Sequence, residues 1–167
     1  MIIFDSSTLI LIAQTEMIDL FLRDVGLDVA IPLEVEKECC SVKKSLDALM
    51  IRKAIEESRI RVIGVKDGKL VTKVQEDFGL GTGEAEAVVL ALAEEARVVG
   101  IDDKNGINAC KLLRVAFTTA IGILVRMWEK RLLTTSETLA KLEGLAKHGR
   151  YKKSILEEAR RQLETAI

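Results

Sequence analysis

Asp5 closes the apolar opening MIIF, Glu34 and Glu38 stand one helical turn apart in LEVEKECC, Glu84 and Glu86 fall in GLGTGEAEA, and Asp102 and Asp103 close the run RVVGI. Carboxylates can work as general acids or bases, or as hard oxygen ligands for a cation. No other residue class competes for these roles. The chain has one histidine, His148 in KHGRY, which supports neither a histidine-rich metal site nor a Ser-His-Asp triad. Its three cysteines, the adjacent Cys39 and Cys40 and the distant Cys110, form no CxxC pair and are odd in number. That argues against a disulfide framework and a zinc site, and they read as small core residues.

Acids that gather cannot all remain charged without compensation. Two unit charges about 4 Å apart repel by roughly 4 kcal/mol at an effective dielectric near 20. A cluster therefore calls for a proton or a bound cation. Oxygen ligands without His or Cys favour magnesium or manganese. A divalent ion held in this way activates water and steadies charge developing on a phosphoryl group, the logic shared by metal-dependent nucleases and phosphatases.

GLGTGEAEA, Gly79 to Ala87, also admits a nucleotide reading, because G-x-G-x-x-G between a strand and a helix cradles a pyrophosphate. Here the third glycine position is Glu84, whose carboxylate would fill the positive helix N-terminus that the phosphate requires. The preceding GKLVTKVQEDF has helical spacing, and no G-x-x-x-x-G-K-[ST] occurs. A purely structural reading stays open: Thr82 as an N-cap, with Glu84 and Glu86 complementing the helix dipole.

A parallel sheet is what would bring acids from such distant segments together. MIIF, DVAIP, RIRVIGV, RVVGI and LRVAF are strand-like runs, mostly separated by helical patterns such as STLILIAQ, LEVEKECC, SLDALMIRKAIEES and GEAEAVVLALAEEA. This alternation predicts helices on both faces of a parallel sheet, whose ligands collect outside the carboxyl ends of the strands. Asp5 then ends the first strand, with Ser6 or Ser7 capping the helix behind it. Asp102 and Asp103 end the strand RVVGI, and Glu38 lies on the short helix opened by Pro32. Beyond about Ala120 the patterns are helical only, GILVRMWEKRLL, SETLAKLEGLAKHG and KKSILEEARRQLE. In the last, Ser154 and Glu157 match a capping box, and Glu157 with Arg161 makes an i, i+4 pair.

The composition suits one domain over residues 1–167, with a core over about 1–125 and a helical C-terminal extension over about 126–167. An apolar share of 49% with 31% charged residues excludes disorder, and an aromatic share of 4% leaves aliphatic residues to fill the core. No apolar run approaches the roughly 18 residues needed to cross a bilayer. The opening also lacks a basic leader region, so a soluble, cytoplasmic protein is expected. A net charge of −1 means that any nucleic-acid partner is held by a local basic patch.

Asp5 behind MIIF with Ser7 following, P-x-x-V-x-x-E at Pro32, Val35 and Glu38, GEAEA at 83–87 and IDDKNG at 101–106 together resemble the PIN-domain family. The order looks most like a prokaryotic PIN-like branch with a helical tail bearing a Gly-Arg-aromatic segment, here GRYKKSIL. The resemblance covers essentially the whole chain. It implies a three-layer α/β/α fold with a mostly parallel sheet, and a magnesium- or manganese-dependent ribonuclease related to the VapC-type toxins of toxin–antitoxin pairs. Asp5, Glu38 and Asp102 match the first, second and last family acids. The other is Glu84 or Glu86; two residues apart on a helix, they point about 200° from each other. Ser7 would hold Asp5 or a metal-bound water, and Asp103 would be a further ligand or a helix cap.

An RNA phosphate over the cation requires basic side chains on the same edge. Lys104 is the best candidate, followed by Arg114 and then Arg126, Lys130 and Arg131, each of which also reads as an ordinary solvated charge. Trp128 is able to stack on a base, but its spacing from Leu124 and Leu132 assigns it to packing. A small antitoxin protein and a second copy of the chain are the implied protein partners. Hydrolysis of RNA to a 5′ phosphate and a 3′ hydroxyl is the leading expectation. A PIN-like binding module with a weak or unused metal site, and a nucleotide-binding enzyme, are the alternatives.

Overall fold

The computed structural model describes residues 1–41 and 44–165. The strand-like runs form short strands β1 (Ile2–Phe4), β2 (Val29–Pro32), β3 (Arg61–Ile63), β4 (Val98–Gly100) and β5 (Phe117–Thr118), although β5 takes only the last residue of LRVAF, whose first residues form a turn. They pair in parallel throughout, in the order β3-β2-β1-β4-β5. Successive side chains of a strand face opposite sides, and both sides are apolar here. Ile2, Phe4, Val29 and Ile31 enter one core, while Ile3, Ala30, Val99 and Ile101 enter the other. Burial on both faces is what a parallel sheet requires.

Helices α1 (Ser6–Gln14) and α2 (Ile18–Asp24) connect β1 to β2, and α3 (Leu33–Cys40) and α4 (Leu46–Glu56) connect β2 to β3. The return to β4 runs through α5 (Gly68–Phe78) and α6 (Thr82–Ala93), and α7 (Lys104–Leu112) leads on to β5. Helices α8 (Ala120–Glu129), α9 (Thr135–His148) and α10 (Lys153–Thr165) follow. The apolar sides of α1–α4 and α8–α10 cover one face, and those of α5–α7 cover the other. The result is a three-layer α/β/α fold. Chain connections leave β1 for β2 on one side and come back to β4 on the other, so the β1/β4 boundary is the topological switch point where such sheets open a crevice.

Several helix ends differ from the sequence expectation. Asp5, and neither Ser6 nor Ser7, caps α1: its Oδ1 accepts from the Thr8 amide at 2.8 Å. The chain turns from strand to helix one residue sooner than the serines suggest, and a carboxylate is a strong acceptor for exposed helix amides. Gly81, in place of Thr82, precedes α6, and Glu84 reaches back to accept from the Gly81 amide at 3.0 Å. Lys153 starts α10, so Ser154 lies inside the first turn and the expected capping box is absent. Glu157 pairs with Lys153 at 3.5 Å and Arg161 with Glu158 at 2.5 Å, so the expected Glu157–Arg161 pair gives way to these two.

Helix α8 runs through residue 125, and α9 packs on α1 and α8, so the helical tail continues the layer begun by the core. Trp128 packs half-buried against that layer, its indole N–H donating to Thr135 Oγ1 at 3.2 Å. Cys39, Cys40 and Cys110 are buried. Among the described residues no helix is long and apolar enough to cross a membrane.

Candidate functional site

Asp5 stands at the carboxyl end of the central strand β1 and is fully buried. Its two oxygens are separately engaged: Oδ1 by the Thr8 amide, and Oδ2 by the Ser7 hydroxyl at 2.7 Å. Of the two partners the sequence offers Ser7, Asp5 or a metal-bound water, the hydroxyl here donates to Asp5. The neighbouring Ser6 donates to Glu38 Oε2, tying α3 to the start of α1. Glu38 also lies directly over α6, because Gly83 leaves room for it. A Cβ at residue 83 would meet the Glu38 carboxyl oxygen at 2.5 Å.

The two glutamates of GEAEA separate. Glu84 faces Glu38 and Asp103, whose charges both add to its proton affinity. Glu86 turns instead to α3, accepting from the Glu34 amide at 3.3 Å with Lys37 near by. Pro32, the residue before α3, has no side-chain acceptor for the exposed amides of that helix, and Glu86 supplies one from across the crevice. The structure therefore groups Glu84 with the acids and Glu86 with a helix end.

Asp102 follows β4. Its Oδ2 accepts from the Ala120 amide at the start of α8 at 2.9 Å, and its Oδ1 accepts from the Tyr151 hydroxyl at 2.6 Å. Asp103 caps α7, accepting from the amides of Asn105 and Gly106 at 2.7 and 3.0 Å. Five acids are thereby linked around the crevice. Asp5 adjoins Ser6, which holds Glu38; Glu38 and Glu84 face each other; Glu84 faces Asp103, which adjoins Asp102; and Asp102 lies near enough to Asp5 to raise its proton affinity.

Burial pushes the Asp5 carboxyl up from 3.8 to about 7; hydrogen bonds from Ser7 and Thr8 oppose the rise, and the Asp102 charge adds to it. Glu84 is raised chiefly by burial, against the pull of the Gly81 amide. Tyr151 is raised by burial and by Asp102 and Asp5, and so stays a proton donor. Among the described residues no lysine or arginine forms an ion pair with Asp5, Glu38, Glu84, Asp102 or Asp103. Nor do any three of the carboxylates converge closely enough to hold a metal ion as they stand. Each is drawn to its own local donor, and like charges without a cation repel.

The basic candidates divide in the same way. Lys104 is exposed at the start of α7, beside Asp103. Arg114 is displaced from the acids by the whole of α7 and precedes β5, which puts it at the opposite edge of the sheet. Arg126 and Lys130 sit toward the far end of α8 and pair with Glu129 and Asp24 at 3.1 and 2.7 Å, and Arg131 follows them. Two polar partners of the acids carry no local signal in the sequence. Ser6 reads only as a cap, and Tyr151 only as the single tyrosine of the chain, in the segment GRYKKSIL.

An all-parallel α/β/α sheet with acids from four segments at its switch point defines a class of protein. A family model described as a PIN domain matches residues 1–165, and the chain belongs to that family, whose fold is of the nuclease type. No curated protein and no solved structure matches the chain.

Proposed function

We propose that this PIN-domain protein is a magnesium- or manganese-dependent endoribonuclease whose centre is the Asp5–Asp102 pair. The observation that carries the reading is a fully buried Asp5 carboxyl beside Asp102, with no cationic side chain paired to either among the described residues. Such a pair requires a proton or a cation, and an all-oxygen donor set suits a hard divalent ion. Asp5 and Asp102 would hold the ion, with Glu38 and Glu84 as the neighbouring acids; when bound it supplies Lewis-acid stabilisation of charge on a phosphoryl group.

The residues around them have separable tasks in this proposal. Ser7, the Thr8 amide, the Ala120 amide and Tyr151 fix the two aspartates, so neither has to reorganise when substrate arrives. Glu84 accepts the proton of the attacking water at Oε1, the oxygen left free by the Gly81 amide; its burial raises its proton affinity toward the working range of a general base. Asp103 keeps α7 in place and adds negative charge near Glu84. Glu86 supports α3. Lys104 contacts substrate.

The test replaces Asp5 and Asp102 separately by Asn and follows cleavage of RNA with manganese present. Loss of cleavage in each folded variant is expected, and undiminished cleavage in both refutes the reading. If the enzyme is a cytoplasmic toxin, a short neighbouring reading frame encodes its antitoxin, and co-expression restores growth. A homodimer belongs to the same proposal and is read from its mass in solution.

A second reading is a PIN-like binding module with an unused metal site. The observation favouring it is that among the described residues no three acids converge. Calorimetric titration with manganese separates the two, since saturable binding that is lost in Asp5→Asn supports the nuclease and no binding at millimolar metal supports the module.

A further inference from the structure

The tail segment KHGRYKK, residues 147–153, joins α9 to α10 and concentrates positive charge in a chain of net charge −1. Lys147, Arg150, Lys152 and Lys153 are all exposed, and no acid occurs between Glu143 and Glu157. Lys153 pairs with Glu157 at 3.5 Å, whereas Lys147, Arg150 and Lys152 form no ion pair among the described residues. A run of unneutralised cations is normally a solvated surface. What distinguishes this one is where it is pinned.

Tyr151 sits in the middle of the run, and its hydroxyl reaches Asp102 at 2.6 Å. Its ring folds back over Gly149, where an added Cβ would meet the ring at 2.4 Å, so glycine at 149 is what lets the tyrosine turn inward. The chain at 150–152 is not helical, and the half-buried Tyr151 alternates with exposed Arg150 and Lys152. Consecutive Cα atoms lie about 3.8 Å apart, so both cations are carried to the rim of the acid crevice by the residue that plugs into it. The two sides of one short segment thus do different work: the ring holds Asp102, and the charges face outward beside it.

We propose that Arg150 and Lys152 form the clamp for the substrate's phosphate backbone, binding single-stranded RNA beside the acids, with Tyr151 as the anchor that sets their position. The substrate class rests on the ribonuclease reading; the location of the clamp does not. Phosphates adjoining the scissile one meet two cations that form no ion pair among the described residues. The acids alone would repel that strand, and the strap supplies the opposite charge at the same edge.

The experiment measures anisotropy of a labelled oligouridylate with the full chain in EDTA, over a series of salt concentrations. The variant is Arg150→Gln with Lys152→Gln; the control is Arg97→Gln with Arg114→Gln, two exposed arginines before β4 and β5 at the opposite edge. Each single-strand phosphate contact contributes about 0.7 to the slope of log affinity against log salt. Loss of both clamp residues should lower the slope by about 1.4 and weaken binding on the order of tenfold at low salt. The control should match the wild type. Equal effects of the two double variants, an unchanged slope in the clamp variant, or a wild type that binds no RNA would overturn the proposal. Without metal the outcome does not depend on cleavage. The ribonuclease reading fails separately, if Asp5→Asn and Asp102→Asn still cut RNA.

Discussion

Asp5→Asn tests the physics of the site without requiring turnover. In the folded protein the Asp5 carboxyl is held near 7, against 3.8 as an ordinary side chain, chiefly because it is buried. Between those two values the native state keeps a proton that the unfolded chain has released, so stability falls as pH rises through the interval. At 1.4 kcal/mol per tenfold change in proton affinity, the wild type loses about 4 kcal/mol between pH 4 and pH 8 from this group alone. Asn occupies the same volume, can accept from the Thr8 amide and does not ionise. Urea unfolding in EDTA at pH 4, 6 and 8 should show Asp5→Asn gaining on the wild type as pH rises, by several kcal/mol at pH 8. Added manganese should close that gap by stabilising the wild type alone. A difference independent of pH, or a variant less stable than the wild type at pH 8, would refute the argument that burial of an unpaired carboxylate is what loads this position.

Three further outcomes follow from the same geometry. Glu84→Gln should reduce RNA cleavage on the order of 10²-fold, while Glu86→Gln, whose acceptor role toward the Glu34 amide the amide side chain can still fill, should leave it near wild type. Gly83→Ala adds a Cβ that displaces the Glu38 carboxyl. Thermal unfolding should show stability kept, since Ala is the better helix former by about 1 kcal/mol, and cleavage should fall on the order of 10²-fold as the acid is displaced. Tyr151→Phe removes the donor to Asp102 Oδ1 and should cost about 1.5–2 kcal/mol in urea unfolding, the lower part of the range for a hydrogen bond to a charged group.

Asp5 and Asp102 were legible from sequence because a strand end is a local property: MIIF and RVVGI break at an acid, and a parallel sheet gathers its strand ends at one edge. Asp103 as a cap was legible for a similar reason, since its partners are the next amides along the chain. The choice between Glu84 and Glu86 was not. Both have the same local surroundings, and what separates them is the placement of α3, which puts Glu38 over Gly83 and sets its exposed N-terminus beside Glu86. Ser6 and Tyr151 were hidden by distance: their partners lie 32 and 49 residues away.

By itself, then, the sequence determined the alternation of strands and helices, the single histidine and the lack of a CxxC pair, and the acids that end the two central strands. Those follow from period, composition and chain direction, which act over a few residues. Only the tertiary structure decided which glutamate joins the acids, which serine holds which carboxylate, and that a tyrosine from the tail closes on Asp102. These depend on where helices far apart in the chain pack around one crevice, and helix packing is set by the shape of buried surfaces that no local pattern encodes.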